Sequence, residues 1–327
     1  MVPWPCSGAT MGERPSGSGK WETRAPMSDR PTLIVVNPGA PRIRRSGLLD
    51  EIRLAARPGR VEVLWTERAG HARAFCAGRA DRFDKIIVAG GDGLLNEVVD
   101  GAFGGPAAIA PLPVGSGNDY VKALPGYPVP LEALLEADGR MPADAGTVTF
   151  TDGTVRRFLS EAGAGMDGAC VRLMPQWLRR ISPAASYNVG GIRAIISYKP
   201  YAATVTLDGE ARRYDRIHML AVANTTYIGD GMRLAPDARF DDGRFHVVIA
   251  KDVWKLELVL RFNMIRKGTH ITHRAVVYAP CRQVIVEADR PLEMCIDGDH
   301  VPKTPARFEI LPGAVQIVQP PDRQSRR

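Results

Sequence analysis

The sequence predicts a chain of two structural halves, an N-terminal α/β half built on a doubly wound parallel sheet and a C-terminal β-rich half of antiparallel strands. In the first half, buried-type strands alternate with helical segments through short loops, which is typical of a parallel sheet. After about Ala145, short alternating runs are separated by Asp-Gly turns, which is typical of an antiparallel sheet or sandwich.

In the N-terminal half, four short apolar runs predict buried strands, and the segments between them have helical character. The strands are predicted at Pro31–Asn37, Arg60–Thr66, Lys85–Ala89 and Ala107–Pro111. The helices are predicted at Ser46–Ala56, His71–Ala80 and Leu95–Ala102. This alternation favours a single sheet with helices on both faces.

The C-terminal half is predicted to contain nine strands and two helices. The strands are predicted at Gly146–Thr151, Val155–Ala162, Ala203–Leu207, Tyr214–Asn224, Arg244–Ala250, Arg274–Ala279, Gln283–Glu287, Leu292–Ile296 and Ala306–Ile310. The helices are predicted near Gly168–Arg180 and Val253–Lys267. We therefore expect an α/β domain over 31–145 and a β-rich domain over 146–320, whose tail of about 306–320 can pack back on the first domain. Residues 1–30 and 321–327 are expected to be disordered.

Composition narrows the classes of function. The net charge of +7 suits an anionic partner, although an arginine-rich proteome would give the same excess. The five cysteines form no C-x-x-C pair, so the sequence gives no support for a zinc site and fits a reducing cytoplasm. Basic residues are not interleaved with aromatic ones, so we expect no nucleic-acid partner. No apolar run reaches the length of a membrane span.

A glycine-rich turn follows the third predicted strand and carries the strongest functional signal. Gly90, Gly91 and Gly93 let the backbone approach a ligand closely, and Asn96 and Glu97 follow in the helix that begins there. Amides at a helix N-terminus favour phosphate. Asp92 places a carboxylate beside that phosphate, where Mg²⁺ is the natural counterion.

A second glycine turn follows the next predicted strand, with Gly115, Ser116, Asn118 and Asp119. Both turns follow parallel strands of one sheet, and open α/β sheets bind ligands at the carboxyl ends of their strands. Ser116 and the local amides can bind phosphate, and Asp119 can share Mg²⁺ with Asp92. The sequence therefore predicts one phosphate and metal site built from both turns.

The motifs G-G-D-G-x-x-N-E and P-x-G-x-x-N-D, over 90–97 and 113–119, resemble the diacylglycerol kinase catalytic-domain family, which includes sphingosine and ceramide kinases and bacterial lipid kinases. The resemblance runs over 31–318 and implies the fold shared by NAD kinases and diacylglycerol kinases. Further matching pieces follow in the family's order: Asn37-Pro38-Gly39, Thr66 with Gly70-His71-Ala72, Asn224–Gly231, Leu234–Ala238, Asp241-Asp242-Gly243 and Asp297-Gly298-Asp299.

The resemblance implies an ATP-dependent lipid kinase acting on diacylglycerol or a related lipid alcohol, with Mg²⁺ as cofactor. It implies ATP phosphates on Asn37, Pro38, Gly39, Thr66, Gly90, Gly91, Asp92, Gly93, Asn96, Glu97, Gly115, Ser116 and Asn118. Asp92 and Asp119 would organise the catalytic Mg²⁺, and Asp297 or Asp299 would be the general base. A structural Mg²⁺ is implied at the Asp242 side chain, with the backbone carbonyls of Arg239 and Arg244.

The implied location is the cytoplasm, at the inner membrane face, with transient contact to the membrane surface. The segment Leu173–Ile181 is either a membrane-facing edge with a basic rim or a packed loop. A homodimer remains open.

This chain departs from the family pattern at four places. Leu94 replaces a threonine, Ala40-Pro41 replaces Ser-Gly, Asp230 stands in a glycine run, and Asp299 replaces a glutamate. These departures keep two alternatives open, an NAD kinase-like phosphotransferase and a catalytically weakened protein that binds nucleotide or lipid. A plain interaction module, which would bind no ATP, is a third.

Overall fold

The computed structural model describes residues 30–40, 42–43, 47–175, 177–178, 182–301 and 306–321. Apart from Arg30 and Pro321, the segments predicted to be disordered lie outside these residues. No helix within the described ranges is long and apolar enough to cross a membrane.

The N-terminal half is a parallel sheet covered by helices on both faces. Its strands lie in the order β2 (Val61–Trp65), β1 (Thr32–Val36), β3 (Lys85–Gly90) and β4 (Ala108–Pro113). Its helices are α1 (Leu48–Ala55), α2 (His71–Cys76), α3 (Asp92–Ala102), α4 (Asp119–Ala123) and α5 (Leu131–Glu136). Side chains alternate along each strand, so Leu33 and Val35 pack with α2 and α3 while Ile34 and Val36 pack with α1 and α5. The predicted doubly wound sheet is confirmed.

The C-terminal half is β-rich and mainly antiparallel, as predicted. Its strands are β5 (Arg140–Phe150), β6 (Val155–Phe158), β7 (Glu161–Gly165), β8 (Tyr201–Leu207), β9 (Glu210–Ala223), β10 (Tyr227–Ile228), β11 (Met232–Arg233), β12 (Phe245–Lys251), β13 (Val276–Cys281), β14 (Gln283–Ala288), β15 (Met294–Ile296), β16 (Asp299–Val301) and β17 (Ala306–Val318). Its helices are α6 (Met166–Leu173), α7 (Pro183–Ser197) and α8 (Lys255–Lys267). An apolar core that includes Phe158, Phe245 and Phe308 lies inside this half.

One strand joins the two halves. β17 pairs antiparallel with β5 along most of its length, and its last residues reach β4 through a parallel pair, Ile317 with Ile109. The described strands therefore form one continuous sheet of 15 strands, with β10 and β11 forming a separate pair. β5 begins at Arg140, so the predicted boundary at residues 145 and 146 falls inside a strand.

The 15-residue helix α7 was not predicted from the sequence. Its Gly190-Gly191 pair has the composition of a loop, but a β-carbon at Gly190 would lie 2.6 Å from Met174 Cγ and 2.7 Å from the Cys170 carbonyl oxygen. Glycine is needed there because α7 packs closely against the α6 segment. The sequence did contain a signal for the start of α7, since Ser182 caps the helix and proline follows at its first position.

Lys85 is a buried cation at the start of β3, with 5% of its surface exposed. Its ammonium group donates hydrogen bonds to the carbonyl oxygens of Leu134 (2.8 Å), Leu135 (3.1 Å) and Ala137. These carbonyls end α5, where the helix dipole favours a positive charge. Lys85 thus connects the C-terminal end of α5 to strand β3 of the sheet.

We expect Lys85→Met to lower the free energy of unfolding by about 3 kcal/mol, because three carbonyl oxygens lose a charged donor while the apolar stem is kept. Urea denaturation measures this change. The exposed Lys199 provides the control, and Lys199→Met should stay within about 0.5 kcal/mol of the wild type. Equal stability of the two variants would contradict the assigned role.

Candidate active site

The two glycine turns predicted to share a site are in direct contact. A β-carbon placed on Gly115 would lie 2.4 Å from Gly91 Cα and 2.9 Å from Asn118 Oδ1. The β3–α3 and β4–α4 turns can approach this closely only because both positions lack a side chain. The structure therefore brings the predicted residues Gly91, Gly115 and Asn118 together at the carboxyl ends of adjacent strands.

Asp92 is the first residue of α3 and faces the second turn. Its Oδ2 accepts a hydrogen bond from the Asp119 amide at 3.1 Å, and its Oδ1 accepts one from the Tyr120 amide at 3.2 Å. Burial raises the pKa of Asp92 to about 6; the nearby Asp119 carboxylate adds to the rise and the two amides oppose it. The negative charge at Asp92 is therefore only partly compensated by the protein.

The negative charge of Asp119 is compensated more completely than that of Asp92. Its Oδ1 accepts hydrogen bonds from Lys122 Nζ at 2.9 Å and from the Gly231 amide at 2.8 Å, and its Oδ2 accepts one from the Asp230 amide at 2.8 Å. These bonds attach the start of α4 to the turn between β10 and β11. Asp119 Oδ2 accepts only one of these bonds and lies over Gly117 together with Asp92 Oδ2, and a Mg²⁺ shared by the two carboxylates stays a prediction.

Asp297 is half-buried, and both of its carboxylate oxygens accept hydrogen bonds. Its Oδ1 accepts hydrogen bonds from the amides of Ser160 (2.9 Å) and Glu161 (3.0 Å), and its Oδ2 accepts them from the Leu159 amide (2.8 Å) and Asn96 Nδ2 (2.7 Å). Burial raises the pKa of Asp297, and these four hydrogen bonds oppose the rise. Each oxygen thus accepts two hydrogen bonds, and the role of Asp297 as general base stays a prediction. The same bonds explain why the strand predicted over 155–162 is split into β6 and β7.

Asp299, the other predicted base, lies at the start of β16 and is exposed. Asp297 and Gly298 line the cleft beside Asp92, but Asp299 does not. Asp299 thus directly follows two residues of the cleft, and its role as general base stays a prediction.

The remaining residues predicted to bind the nucleotide lie around the two turns. Most of their side chains hydrogen bond to backbone groups nearby. Asn37 Oδ1 accepts a hydrogen bond from the Gly39 amide, which holds the turn containing Pro38. The Thr66 hydroxyl donates to the Val36 carbonyl oxygen, and Glu97 Oε1 accepts from the Gly70 amide at 2.7 Å.

Beside the first turn, the Leu94 side chain packs on Gly90, where a β-carbon would lie 2.5 Å from Leu94 Cδ2. Gly93 is exposed and Ser116 is partly buried.

The predicted structural Mg²⁺ site at the Asp-Asp-Gly turn is held by protein contacts. Asp242 Oδ1 accepts a hydrogen bond from the Arg244 amide at 3.0 Å, and Asp242 Oδ2 lies 3.5 Å from His246 Nε2. The Arg239 guanidinium pairs with Asp241. Within the described part of the chain, no group of three or more His, Cys, Asp or Glu side chains could hold a metal ion.

Sequence reasoning missed two acidic residues of the site, Glu161 on β7 and Asp167 on α6. Burial raises the pKa of Glu161 well above its usual range, and the adjacent Asp167 carboxyl adds to the rise. Burial also raises the pKa of Asp167. The six-residue spacing matches no motif, and only the fold brings the two acids together. A Glu at the buried start of a strand was the one available signal.

Two cavities meet at these acids. The polar cleft is lined by Asp92, Asp119, Ser160, Glu161, Gly229 and Asp297, among others. The apolar cavity lies in the C-terminal half and is lined largely by apolar side chains, which include Ile195, Met219, Leu234, Val248, Leu258 and Ile265. Asp167, Cys170, Tyr187, Ile228 and Met232 line both. A polar ligand and an apolar ligand can therefore meet at this border.

Comparison with protein-family models finds two matches that together cover most of the chain. Residues 31–148 match the diacylglycerol kinase catalytic domain, and residues 160–319 match the YegS C-terminal NAD kinase beta sandwich-like domain. A diacylglycerol kinase of Bacillus subtilis (strain 168) is 28% identical over 274 residues, which cover 79% of this chain and 87% of that protein. A "Probable lipid kinase YegS-like" of Shewanella frigidimarina is 27% identical over 267 residues, which cover 80% and 84% of the two chains.

Solved structures show the same fold. A crystal structure of a diacylglycerol kinase from Bacillus anthracis str. Sterne superposes with a TM-score of 0.64 at 20% identity, covering 89% of this chain and 97% of that one. The two glycine turns, the β-rich second half and the two family matches all indicate the same family. The chain belongs to the diacylglycerol kinase catalytic-domain family and is a lipid kinase, a phosphotransferase.

Proposed function

We propose that this lipid kinase transfers the γ-phosphate of ATP to a hydroxyl group of diacylglycerol or a related lipid alcohol. The observation that carries this proposal is the shared border of the two cavities. A cleft lined by Asp92 and Asp119, which begin the helices after the two glycine turns, adjoins a cavity of largely apolar side chains. This arrangement suits a charged phosphate donor on one side and a lipid on the other.

The two glycine turns provide for the ATP phosphates. The first amides of α3 point out of the helix without partners inside it, and they favour an anion. Gly91 and Gly115 keep the neighbouring backbone free of side chains. Leu94 supplies no hydroxyl group, so the cradle for phosphate consists of backbone amides, with Ser116 as the nearby hydroxyl. The nucleotide is thus proposed to lie along the β3–α3 and β4–α4 turns.

Asp92 fits as the protein ligand of a Mg²⁺ ion that ATP brings with it. Mg²⁺ commonly binds one or two carboxylates together with substrate phosphates and water, so a dedicated cluster of acids is not required. The raised pKa of Asp92 indicates a carboxylate that a cation would stabilise. When bound, Mg²⁺ would neutralise charge on the transferring phosphate. Asp119 also fixes the turn opposite it, and its share in this Mg²⁺ and the structural Mg²⁺ at Asp242 both remain predictions.

The exposed edge of the apolar cavity suits a membrane surface. α7 and α8 expose Ile192, Ile196, Leu256, Val259 and Leu260, and Trp254 before α8 is 73% exposed. Lys255 Nζ donates to the Ile196 carbonyl oxygen, so the two helices present these side chains together. Arg193, Lys255, Arg266 and Lys267 lie on the same helices and favour anionic lipid headgroups. We propose that this apolar edge contacts the inner face of the membrane from the cytoplasm while a lipid enters.

An NAD kinase-like activity is the alternative from the sequence. NAD would need polar partners for its ribose and bases, whereas the adjoining cavity is largely apolar. The assay of lipid phosphorylation therefore includes NAD as a second acceptor. Transfer to NAD without transfer to lipid would contradict the lipid assignment.

We expect Asp92→Asn to lower lipid phosphorylation at least about 100-fold, because the cation that neutralises the phosphates loses its carboxylate ligand. Radiolabelled ATP with a total lipid extract measures the transfer, and circular dichroism checks the fold. The control is Asp50→Asn, since Asp50 is exposed on α1, and it should keep wild-type activity. Undiminished transfer by the Asp92 variant would refute the proposal.

Two glycine variants separate effects on the stability of the protein from effects on its affinity for ATP. Gly115→Ala should lower both stability and ATP affinity, because the new β-carbon collides with Gly91. A β-carbon placed on Gly93 would meet no other atom within 4 Å, so Gly93→Ala should keep stability. It should nevertheless weaken ATP binding about tenfold if phosphate packs against this turn. Calorimetric titration with ATP decides, and unchanged affinity in both variants would exclude these turns as the ATP site.

We expect the double variant Trp254→Ser, Leu260→Ser to bind anionic vesicles about tenfold more weakly, because two exposed apolar side chains no longer enter the interface. Vesicle sedimentation measures binding, and ATP affinity should not change. Leu54→Ser is the matched control, since Leu54 is 79% exposed but lies on α1. Equal binding by the wild type and both variants would rule out the proposed membrane edge.

A further inference from the structure

Tyr187, on helix α7, lies where the polar cleft and the apolar cavity meet. It lines both of them and is half-buried. Its side chain packs against Val171, Met174 and Cys295, and the Cys170 thiol donates a weak hydrogen bond to the Tyr187 carbonyl oxygen at 3.8 Å. Tyr187 is therefore held at the border through both its side chain and its backbone.

Two further glycines leave room for the Tyr187 side chain. A β-carbon placed on Gly298 would lie 3.1 Å from the Tyr187 hydroxyl oxygen, and one placed on Gly229 would lie 3.6 Å from Tyr187 Cδ1. Both glycines line the polar cleft and have positive φ, 82° at Gly298 and 52° at Gly229. The hydroxyl group thus lies over Gly298, the residue between Asp297 and Asp299, on the polar side of the border.

A lipid that is phosphorylated here needs its hydroxyl group held at this border. Its chain would lie in the apolar cavity and the ATP phosphates beside Asp92, so the attacking oxygen must lie between them. In-line transfer requires that oxygen to be fixed close to the γ-phosphorus. Of the described residues that line both cavities, Tyr187 alone carries a hydroxyl group. A tyrosine hydroxyl both donates and accepts hydrogen bonds, which suits an alcohol as its partner.

We propose that the Tyr187 hydroxyl group donates a hydrogen bond to the hydroxyl oxygen of the lipid, and thereby selects a lipid alcohol and positions it for phosphoryl transfer. This inference rests on the proposed kinase function. With one lone pair of the lipid oxygen held by Tyr187, another is directed to the γ-phosphorus. The proton of the lipid hydroxyl then points to the turn from Asp297 to Asp299, where the general base is predicted. Tyr187 keeps its own proton and takes no part in proton transfer.

Tyrosine suits this place because it combines an apolar ring with a polar tip. The ring packs among apolar side chains, while the hydroxyl group reaches the glycine of the acidic turn. Phenylalanine would fill the same space and would lack only the hydroxyl group. The substitution Tyr187→Phe therefore separates binding of the lipid hydroxyl from packing of the ring.

The test compares wild type with Tyr187→Phe and Tyr198→Phe, using radiolabelled ATP and phosphatidylglycerol vesicles that contain dioleoylglycerol or a total lipid extract. We expect Tyr187→Phe to lower kcat/KM for the lipid about tenfold, because the attacking oxygen loses a hydrogen bond that places it. The KM for ATP should stay within about twofold of wild type. Tyr198→Phe is the matched control, since Tyr198 directly follows α7 and lines neither cavity, and it should keep the wild-type kcat/KM.

A second measurement shows whether Tyr187 binds the hydroxyl group of the lipid. Calorimetric titration without ATP compares dioctanoylglycerol with the dioctanoyl ester of propylene glycol, which has the same chains and a methyl group in place of the hydroxymethyl group. Wild type and Tyr198→Phe should bind the alcohol about tenfold more tightly than the ester that lacks it, whereas Tyr187→Phe should bind both alike. A purely structural role of Tyr187 would instead weaken the binding of both lipids equally.

Separate readouts distinguish the failures. Wild-type protein that phosphorylates no lipid in either preparation would sink the proposed function itself. An active wild type whose Tyr187→Phe variant keeps its kcat/KM for the lipid, or its preference for the alcohol, would overturn only the inference about Tyr187. If only a lipid of the extract is labelled, the rates of labelling of that lipid decide in the same way. Thermal unfolding checks each variant, and a Tyr187→Phe protein that no longer folds would give the hydroxyl group a structural role and would also overturn the inference.

Discussion

The carboxylate of Asp297 connects the part of the site on the N-terminal half to the part on the C-terminal half. It accepts a hydrogen bond from Asn96, which lies on the phosphate-binding helix α3, and three more from the backbone between β6 and β7. The helix that carries Asp92 is thereby fixed relative to the strand that carries Glu161. A residue in the left-handed conformation, with φ of 46°, forms this connection at the tip of a tight turn. The cost of that conformation is offset by four hydrogen bonds to one half-buried charge.

The acids of the polar cleft differ in how far the protein compensates them, and this difference separates their roles. Asp297 has four donors and Asp119 has an ammonium group and two amides, so both serve to connect parts of the structure. Asp92 has two amides and a raised pKa, which suits an exchangeable cation. Burial raises the pKa of both Glu161 and Asp167, and the Cys295 thiol near Asp167 opposes the rise there. Counting hydrogen-bond donors therefore separates these acids, of which the sequence singled out Asp92, Asp119 and Asp297.

Much of the fold followed from the sequence, because each glycine turn and Asp-Gly turn is a local signal with a local cause. The contact between Gly91 and Gly115 could be anticipated, since the carboxyl ends of neighbouring parallel strands must meet. The helix α7 could not be recognised by its composition, because Gly190 serves packing against α6 rather than a turn. The role of Asp297 was also hidden, since its partners lie 136 to 201 residues away along the chain. The same holds for the Glu161–Asp167 pair, which no spacing rule connects.

The ribbon of β5 and β17 sets how the two halves can move. A kinase of two halves is usually pictured as closing about a flexible linker, yet here a pair of long strands passes through both. Their register shifts between Leu311 and Val315, where Gly313 has φ of 63° and its amide donates to Asp144 Oδ1. Opening the cleft would therefore require the hydrogen-bonded ribbon to twist at this register shift. The torsional stiffness of the ribbon would limit how far the cleft opens between turnovers.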